Sequence, residues 1–458
     1  MAGIGFTLRK FSNQDNLLGL VYAYGCSAIA STGPWILTVM ALGSIIAVSK
    51  HYTTNGVLIT FRSIIIYNFS FSLVLSGPIL MIATRTLADA IHNRDATAIP
   101  GMLIGSLMTM TAVLMPTAVL FYCFYAHFSA LMTSLAIINF LLIGLIWLTS
   151  IFISSLKNYK TITFAYIAGL LVAILASCMF AKAYGDIGML CGFNVGLTVI
   201  IAVLLAQILT EYPYPFSQPF MFLGNFRKYW RIAAGGFIYN AAIWIDKWIM
   251  WFSPDSEKLT SNLRIYSTYD SAMFFAYMSI VPSLALFLFS METGFFEHYQ
   301  RFYRDIQNKV PFAKIEKNHQ ALMSSISVSG GRFLLLQASI AIMAALSAPQ
   351  ILHMVGGSYM QIAIFRFGIL GAFCHVMLIF MLIMLSYFDS RRETLLLQAT
   401  LFITNTVFTL VTLKLGFSYY GYGYFMACFV TMLLAAIVTY RYVVKLPYHT
   451  FITSNSSL

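Results

Sequence analysis

Apolar runs long enough to cross a bilayer recur from one end of this chain to the other. A helix rises about 1.5 Å per residue, so roughly 20 apolar residues cover about 30 Å of hydrocarbon. Runs of this kind lie at about 18–48, 60–88, 99–125, 130–155, 161–183, 186–210, 230–252, 265–292, 330–349, 361–387, 393–414 and 420–444. Inside hydrocarbon every backbone N–H and C=O needs a partner within the protein, so single segments of this length cross as helices. The expected fold class is an all-α polytopic membrane protein with about 12 transmembrane helices. Only 9% of the 458 residues are charged, against about 25% in soluble domains. Little chain is left for a soluble domain.

The formal net charge of +12 does not point to nucleic acid. Lys and Arg concentrate in the cytoplasmic loops of membrane proteins. With the N-terminus inside, 19 of the 27 Lys and Arg fall in segments that the twelve spans place on the cytoplasmic side. Both termini are therefore expected in the cytoplasm. The opening MAGIGFTLRKFSNQDN follows Arg9 and Lys10 with polar residues rather than an apolar core, so it reads as retained chain, not a signal peptide. Six cysteines, scattered without a CxxC pair, read as packed thiols.

A proline-rich connector (Pro213, Pro215, Pro219) divides the chain. It separates an expected N-terminal six-helix lobe at 1–215 from a C-terminal one at 230–458, with a linker at 216–229. Within the second lobe, 293–329 is read as a cytoplasmic amphipathic segment. FFEHYQRFYRDI places Phe295, Tyr299 and Phe302 on one helical face, so its helix is expected to lie at the cytoplasmic membrane surface.

Span seven carries the least comfortable residues. GGFIYNAAIWIDKWIMWFSP, from Gly235 to Pro254, contains Asp246 and Lys247. Asp246 sits roughly 9 Å from the outer end of the span. A charge there costs on the order of 2.5–3.5 kcal/mol on insertion scales, so it should face protein or water. Two readings stay open: lining of a substrate or ion route, and a membrane-buried structural ion pair. The other in-span candidates for a polar route are Arg62, Asp270, Glu292 and Arg366. Arg62, Asp270 and Arg366 are placed near the outer interface, where long side chains snorkel. His375 reads as a hydrogen-bonded core histidine or a proton relay. Hinge candidates are Gly33 and Pro34 in span one, Gly77 and Pro78 in span two, and Pro282 in span eight. Proline removes a backbone donor and clashes with the preceding turn, so each should kink its helix. Static packing is the other reading of those sites.

No G-x-x-x-x-G-K-[ST] supplies an ATP motor, and no His/Cys/Asp cluster has metal-ligand spacing. No cofactor is implied, and a transporter fits better than an enzyme.

Several stretches resemble a known family. These are MAGIGFTLRK, STGPWIL in span one, IWIDKWIMWFSP in span seven, YDSAMFFAYMSIVPSLALFLFSMETGFFEHYQRFY across span eight, FRFGILGAFCHVMLIFMLIMLSYFDSRRE in span ten and GYGYF in span twelve. They are similar to the PelG family of Pel exopolysaccharide transporters of bacterial biofilms. Thr7 stands where that family's opening motif is expected to carry an acid. The resemblance implies the multidrug/oligosaccharidyl-lipid/polysaccharide (MOP) exporter superfamily, with two six-helix lobes around a central cavity. It implies residence in the bacterial inner membrane. It implies as partners an exopolysaccharide chain, membrane lipid, a cytosolic glycosyltransferase and cyclic-di-GMP-sensing membrane subunits. Alternatives are a lipid-linked oligosaccharide flippase, for which Arg62 and Arg366 are the only in-span arginines to offer, a cation-coupled drug antiporter, and a non-transporting scaffold of a synthase.

Overall fold

The structure is a computed structural model and describes residues 34, 36–93, 95–155, 159–259, 261–290 and 295–453. Gly33, Glu292 and the first part of span one lie outside the described residues. Helix occupies each of the twelve expected positions: α1 Ile36–Ser49, α2 Asn55–His92, α3 Ile99–Leu120, α4 Ala130–Ser155, α5 Tyr159–Glu211 and α6 Trp230–Met250. There follow α7 Ser267–Met278, α8 Val281–Ser290, α9 Phe296–Gln307, α10 Phe312–Leu346, α11 Gln361–Tyr387, α12 Arg391–Leu415 and α13 Tyr422–Val444. Among the described residues, nine helices are long and apolar enough to cross a membrane. The chain is an all-α polytopic membrane protein.

The described residues form two compact units. The first comprises Gly33–Trp244 and Trp251–Tyr266, and the described part of the second lies in Ile245–Met250 and Ser267–Leu458. Helix α6 thus contributes to both.

In the first unit, α5 is two helices joined at Gly185, whose φ of 58° and ψ of −130° break the ladder where Tyr184-Gly185-Asp186 suggested. Only glycine adopts that conformation without strain. The two halves fold back on each other along small residues. A methyl added at Gly188, Gly192 or Gly196 would overlap Phe180, Ser177 or Ala173, and the Ser177 hydroxyl donates to the Met189 carbonyl at 2.9 Å. Helices meet at backbone distance only where side chains vanish, and this spacing of four keeps the glycines on one face. The proline-rich connector does not hang free. It lies against α3, where a methyl at Gly101 or Gly105 would overlap the Ser217 or Pro219 carbonyl.

Three expectations are corrected. Pro78 sits inside the unbroken α2, whereas Pro282 is not mid-helix. The helix stops at Met278 and Pro282 is the second residue of α8, a position whose N–H has no intrahelical partner anyway. The helix that contains span nine begins not near 330 but at Phe312, directly after Pro311. The apolar face of α9 turns to protein rather than to lipid. Phe302 is fully buried in a cluster with Phe295, Ile315, Leu322 and Phe388. A small antiparallel hairpin, β1 Glu257–Lys258 with β2 Arg264–Ile265, is unheralded by the sequence reading. Tyr67 of α2 pins it, donating to the Arg264 carbonyl at 2.7 Å and accepting from its N–H at 3.2 Å.

Gly192→Val is expected to lower the thermal unfolding midpoint of the purified protein clearly, since overpacking typically costs about 1–3 kcal/mol and here the obstacle is backbone. An unchanged midpoint would contradict the close α5 hairpin.

Candidate functional site

Helix α6 carries Asp246 and Lys247 in its last two turns. Neighbouring residues on a helix diverge by about 100°, so an i,i+1 pair does not normally meet. Here the long Lys247 side chain folds back, and its Nζ stands 3.1 Å from both carboxylate oxygens of Asp246. Asp246 is 0% exposed and Lys247 7%. A symmetric contact of this kind cancels two charges that would each cost several kcal/mol alone.

Three tyrosines of the second unit stand against the pair. Tyr269 of α7 donates its hydroxyl to Asp246 Oδ2 at 3.0 Å. The Lys247 Nζ lies 4.8 Å from the Tyr277 ring centroid and 5.7 Å from that of Tyr424. A desolvated ammonium over aromatic faces gains roughly 2 kcal/mol or more. Tyr269 and Tyr277 are eight residues apart, so α7 presents both on one face. Tyr424 comes from the first turn of α13 and shares a 2.6 Å hydrogen bond with Nδ1 of the buried His375. Glycines make the room. A methyl at Gly371 would overlap the Tyr424 ring, and one at Gly368 would stand 2.8 Å from the Ala276 Cβ. The result is a charge-neutral centre inside apolar helices, assembled from α6, α7, α11 and α13.

The first unit has a polar centre of another kind. Tyr122 donates to Asn68 Oδ1 at 2.6 Å, Asn68 to Asn139 Oδ1 at 2.8 Å, and Asn139 to Asn194 Oδ1 at 2.7 Å. Asn194 closes the chain on the Leu135 carbonyl at 2.9 Å. It links α2, α4 and α5 to a five-residue π-helical turn, Phe121–Tyr125, that follows α3. Every side chain in it is neutral.

The other sequence candidates are dispersed. Arg366 is exposed and donates from Nε to the Ala345 carbonyl at 3.1 Å. Arg62 and Asp270 are half-buried on α2 and in the first turn of α7. Pro34 is helical and its carbonyl accepts from Thr38 Oγ1 at 2.8 Å. At Gly77, α2 crosses α6. An added methyl would stand 2.7 Å from the Gly236 carbonyl oxygen, and beside it Asn240 Nδ2 donates to the Leu73 carbonyl at 3.0 Å. Among the described candidates, Asp246 and Lys247 are the charged pair in direct contact. Tyr269, Tyr277, Tyr424 and the asparagine chain were not singled out by the sequence reading.

The sequence matches the PelG family, described as an exopolysaccharide exporter (EPS-E), over residues 1–451. No curated protein matches it. Solved transporters share the fold. One is a MOP superfamily transporter from Pyrococcus furiosus Vc1, with TM-score 0.64 and 12% identity, covering 93% of this chain and 96% of that one. Another is an inward-facing multidrug resistance MATE family transporter of the same superfamily, with TM-score 0.64 and 14% identity over 92% and 99% of the two chains. A third, a MATE protein in complex with MaD5, gives TM-score 0.62 and 12% identity over 92% and 96%. At such identities the likeness is one of fold.

Asp246→Ala alone is expected to destabilise the protein by about 3–5 kcal/mol, because it strands a buried ammonium. Joint replacement, Asp246→Leu with Lys247→Met, should be close to neutral. Chemical or thermal unfolding of the purified variants checks this. Equal losses in the single and paired variants would contradict the neutral-pair reading.

Proposed function

We propose that this chain, which belongs to the PelG exporter family, carries an amino-sugar exopolysaccharide across the bacterial inner membrane. The observation that carries the reading is the family match along nearly the whole chain, joined to a transporter fold. The MOP architecture supports movement of a polar cargo through the protein interior by conformational change. Both termini stand in the cytoplasm on this reading. A cytosolic glycosyltransferase supplies the polymer, and cyclic-di-GMP-sensing membrane subunits accompany it.

On this reading the amino groups are still acetylated while the chain crosses, so the cargo is largely neutral and asks little of a strong electric field and much of hydrogen-bonding and aromatic surfaces. The Asp246–Lys247 centre suits that demand, since its charges cancel and its outer faces are tyrosine rings. We assign the pair to the transport route, closed off in the conformation described and opened during the cycle. Opening it costs the cation–ring contacts but not the ion pair, so it needs no bare charge in hydrocarbon. Arg62, Asp270, Glu292 and Arg366 are further members of the proposed route. Gly33, Pro34, Gly77, Pro78 and Pro282 are the proposed points of bending.

The paired variant Asp246→Leu with Lys247→Met separates function from folding. Placed on the chromosome, it is expected to cut secreted polymer at least tenfold while membrane levels of the protein stay normal. Lectin blots of secreted carbohydrate and immunoblots of membranes read the two. Normal secretion would make the pair purely structural. Undiminished secretion from a strain lacking the whole chain would overturn export itself.

A further inference from the structure

The outward face of the α9–α10 corner carries a cluster of cations. Arg301, Arg304, Lys309, Lys314 and Lys317 are all exposed. Arg301 meets Glu297 at 3.5 Å on an open surface, a contact worth little in water. Among the described residues, no acid lies within salt-bridge distance of Arg304, Lys309, Lys314 or Lys317. Two more acids belong to this corner: Asp305 is buried and accepts from Asn318, and Glu316 lies half-buried between Lys314 and Lys317. Lys309 adopts a φ of 51°, a conformation that glycine or asparagine takes more cheaply. The five cations thus outnumber the three acids of the same corner, Glu297, Asp305 and Glu316, and leave a surplus of positive charge.

Its height relative to the membrane can be read from the hydrogen bonds of α9 and α10. Tyr299 of α9 donates to the carbonyl of Tyr387, the last residue of α11, at 3.2 Å. The apolar run of α11 ends there, before Asp389, Arg391 and Arg392. Thus α9 lies where a span leaves the hydrocarbon. Arg301 and Arg304 follow Tyr299 by two and five residues, within about 8 Å along the helix. On the returning helix, Nε2 of His319 is 2.8 Å from the carbonyl of Val443, the penultimate residue of α13. Lys317 and Lys314 stand about 3 and 8 Å beyond that level. The polar layer of a leaflet is some 5–7 Å thick, and charges attract across a Debye length of about 8 Å. Beyond the protein's own acids, this level brings the five cations within reach of the headgroups of the same leaflet.

We propose that this corner is an anionic-phospholipid binding surface. Phosphate headgroups are held by Arg301, Arg304, Lys309, Lys314 and Lys317, with the exposed Phe312 ring at the apolar edge. Because the apolar face of α9 is spent inside the protein, attachment is electrostatic and salt-sensitive rather than an insertion of the helix. The role is local to the second unit and independent of what is exported. By holding α9 against the leaflet, bound lipid steadies the aromatic cluster beneath it.

The test uses the full-length protein titrated with phosphatidylglycerol or phosphatidylcholine. Retained lipid is counted by native mass spectrometry and stability is read by thermal unfolding. Phosphatidylglycerol should be retained preferentially and should raise the midpoint, both effects falling as salt rises from 50 to about 300 mM. The combined R304Q, K309Q, K314Q and K317Q variant should bind it at least tenfold more weakly, since each lost cation removes attraction to the anionic surface. Its midpoint in phosphatidylcholine should match the parent, showing that it folds. The variant K258Q, on the hairpin, should behave as the parent. Equal retention of the two lipids, or undiminished phosphatidylglycerol binding by the fourfold variant, would overturn the proposal. So would a fourfold variant that keeps its lipid yet loses an acidic cytosolic protein.

Discussion

A buried carboxylate and ammonium that pair with each other beside three tyrosines set the terms for the second unit. Neither Asp246 nor Lys247 could be kept in apolar surroundings alone, because the cost of a lone buried charge exceeds what one helix contributes to stability. Together they form a neutral object, and the helices around them are arranged to cover it. Glycine at 368 lets α11 reach α7, and glycine at 371 admits the Tyr424 ring. The Tyr424 hydroxyl is then tied to His375, which fixes the ring over the lysine. The chain of dependence runs from two adjacent residues to four helices.

The first unit meets the same problem with amides. Asn68, Asn139 and Asn194 each sit in the middle of an apolar span, and each is buried. An unsatisfied amide costs more in hydrocarbon than a satisfied one returns, so the three and Tyr122 form an unbroken donor-to-acceptor chain. This network brings no charge and asks for no counter-ion. The two units thus hold polar centres of different chemistry: one hydrogen-bonded and neutral atom by atom, the other neutral only as a pair.

The helices were legible because hydrocarbon permits little else, and the α5 break was legible because Gly185 stands beside Tyr184 and Asp186 between two apolar runs. The start of α10 was not. Phe312–Ile326 is polar enough to resemble a loop, yet it is helical because its buried side packs on the α9 aromatics. The amphipathic pattern of α9 was visible, but periodicity says only that an apolar face is covered, not by what. Asp246 and Lys247 stood out as charges in an apolar run. Their cage did not, since Tyr269, Tyr277 and Tyr424 are ordinary residues until α7 and α13 are brought to α6. The asparagines could have been found by listing neutral polar residues at span centres as well as ionisable ones.

Whether the ion pair meets water while polymer is crossing decides the account. Membranes can be treated with a water-soluble carbodiimide and an amine, with synthesis running or stopped, and modified carboxylates mapped by mass spectrometry. Asp246 should be protected at rest and modified during export, with the exposed Asp389 modified in both states. Protection of Asp246 throughout active export, with Asp389 modified as expected, would contradict its place on the transport route.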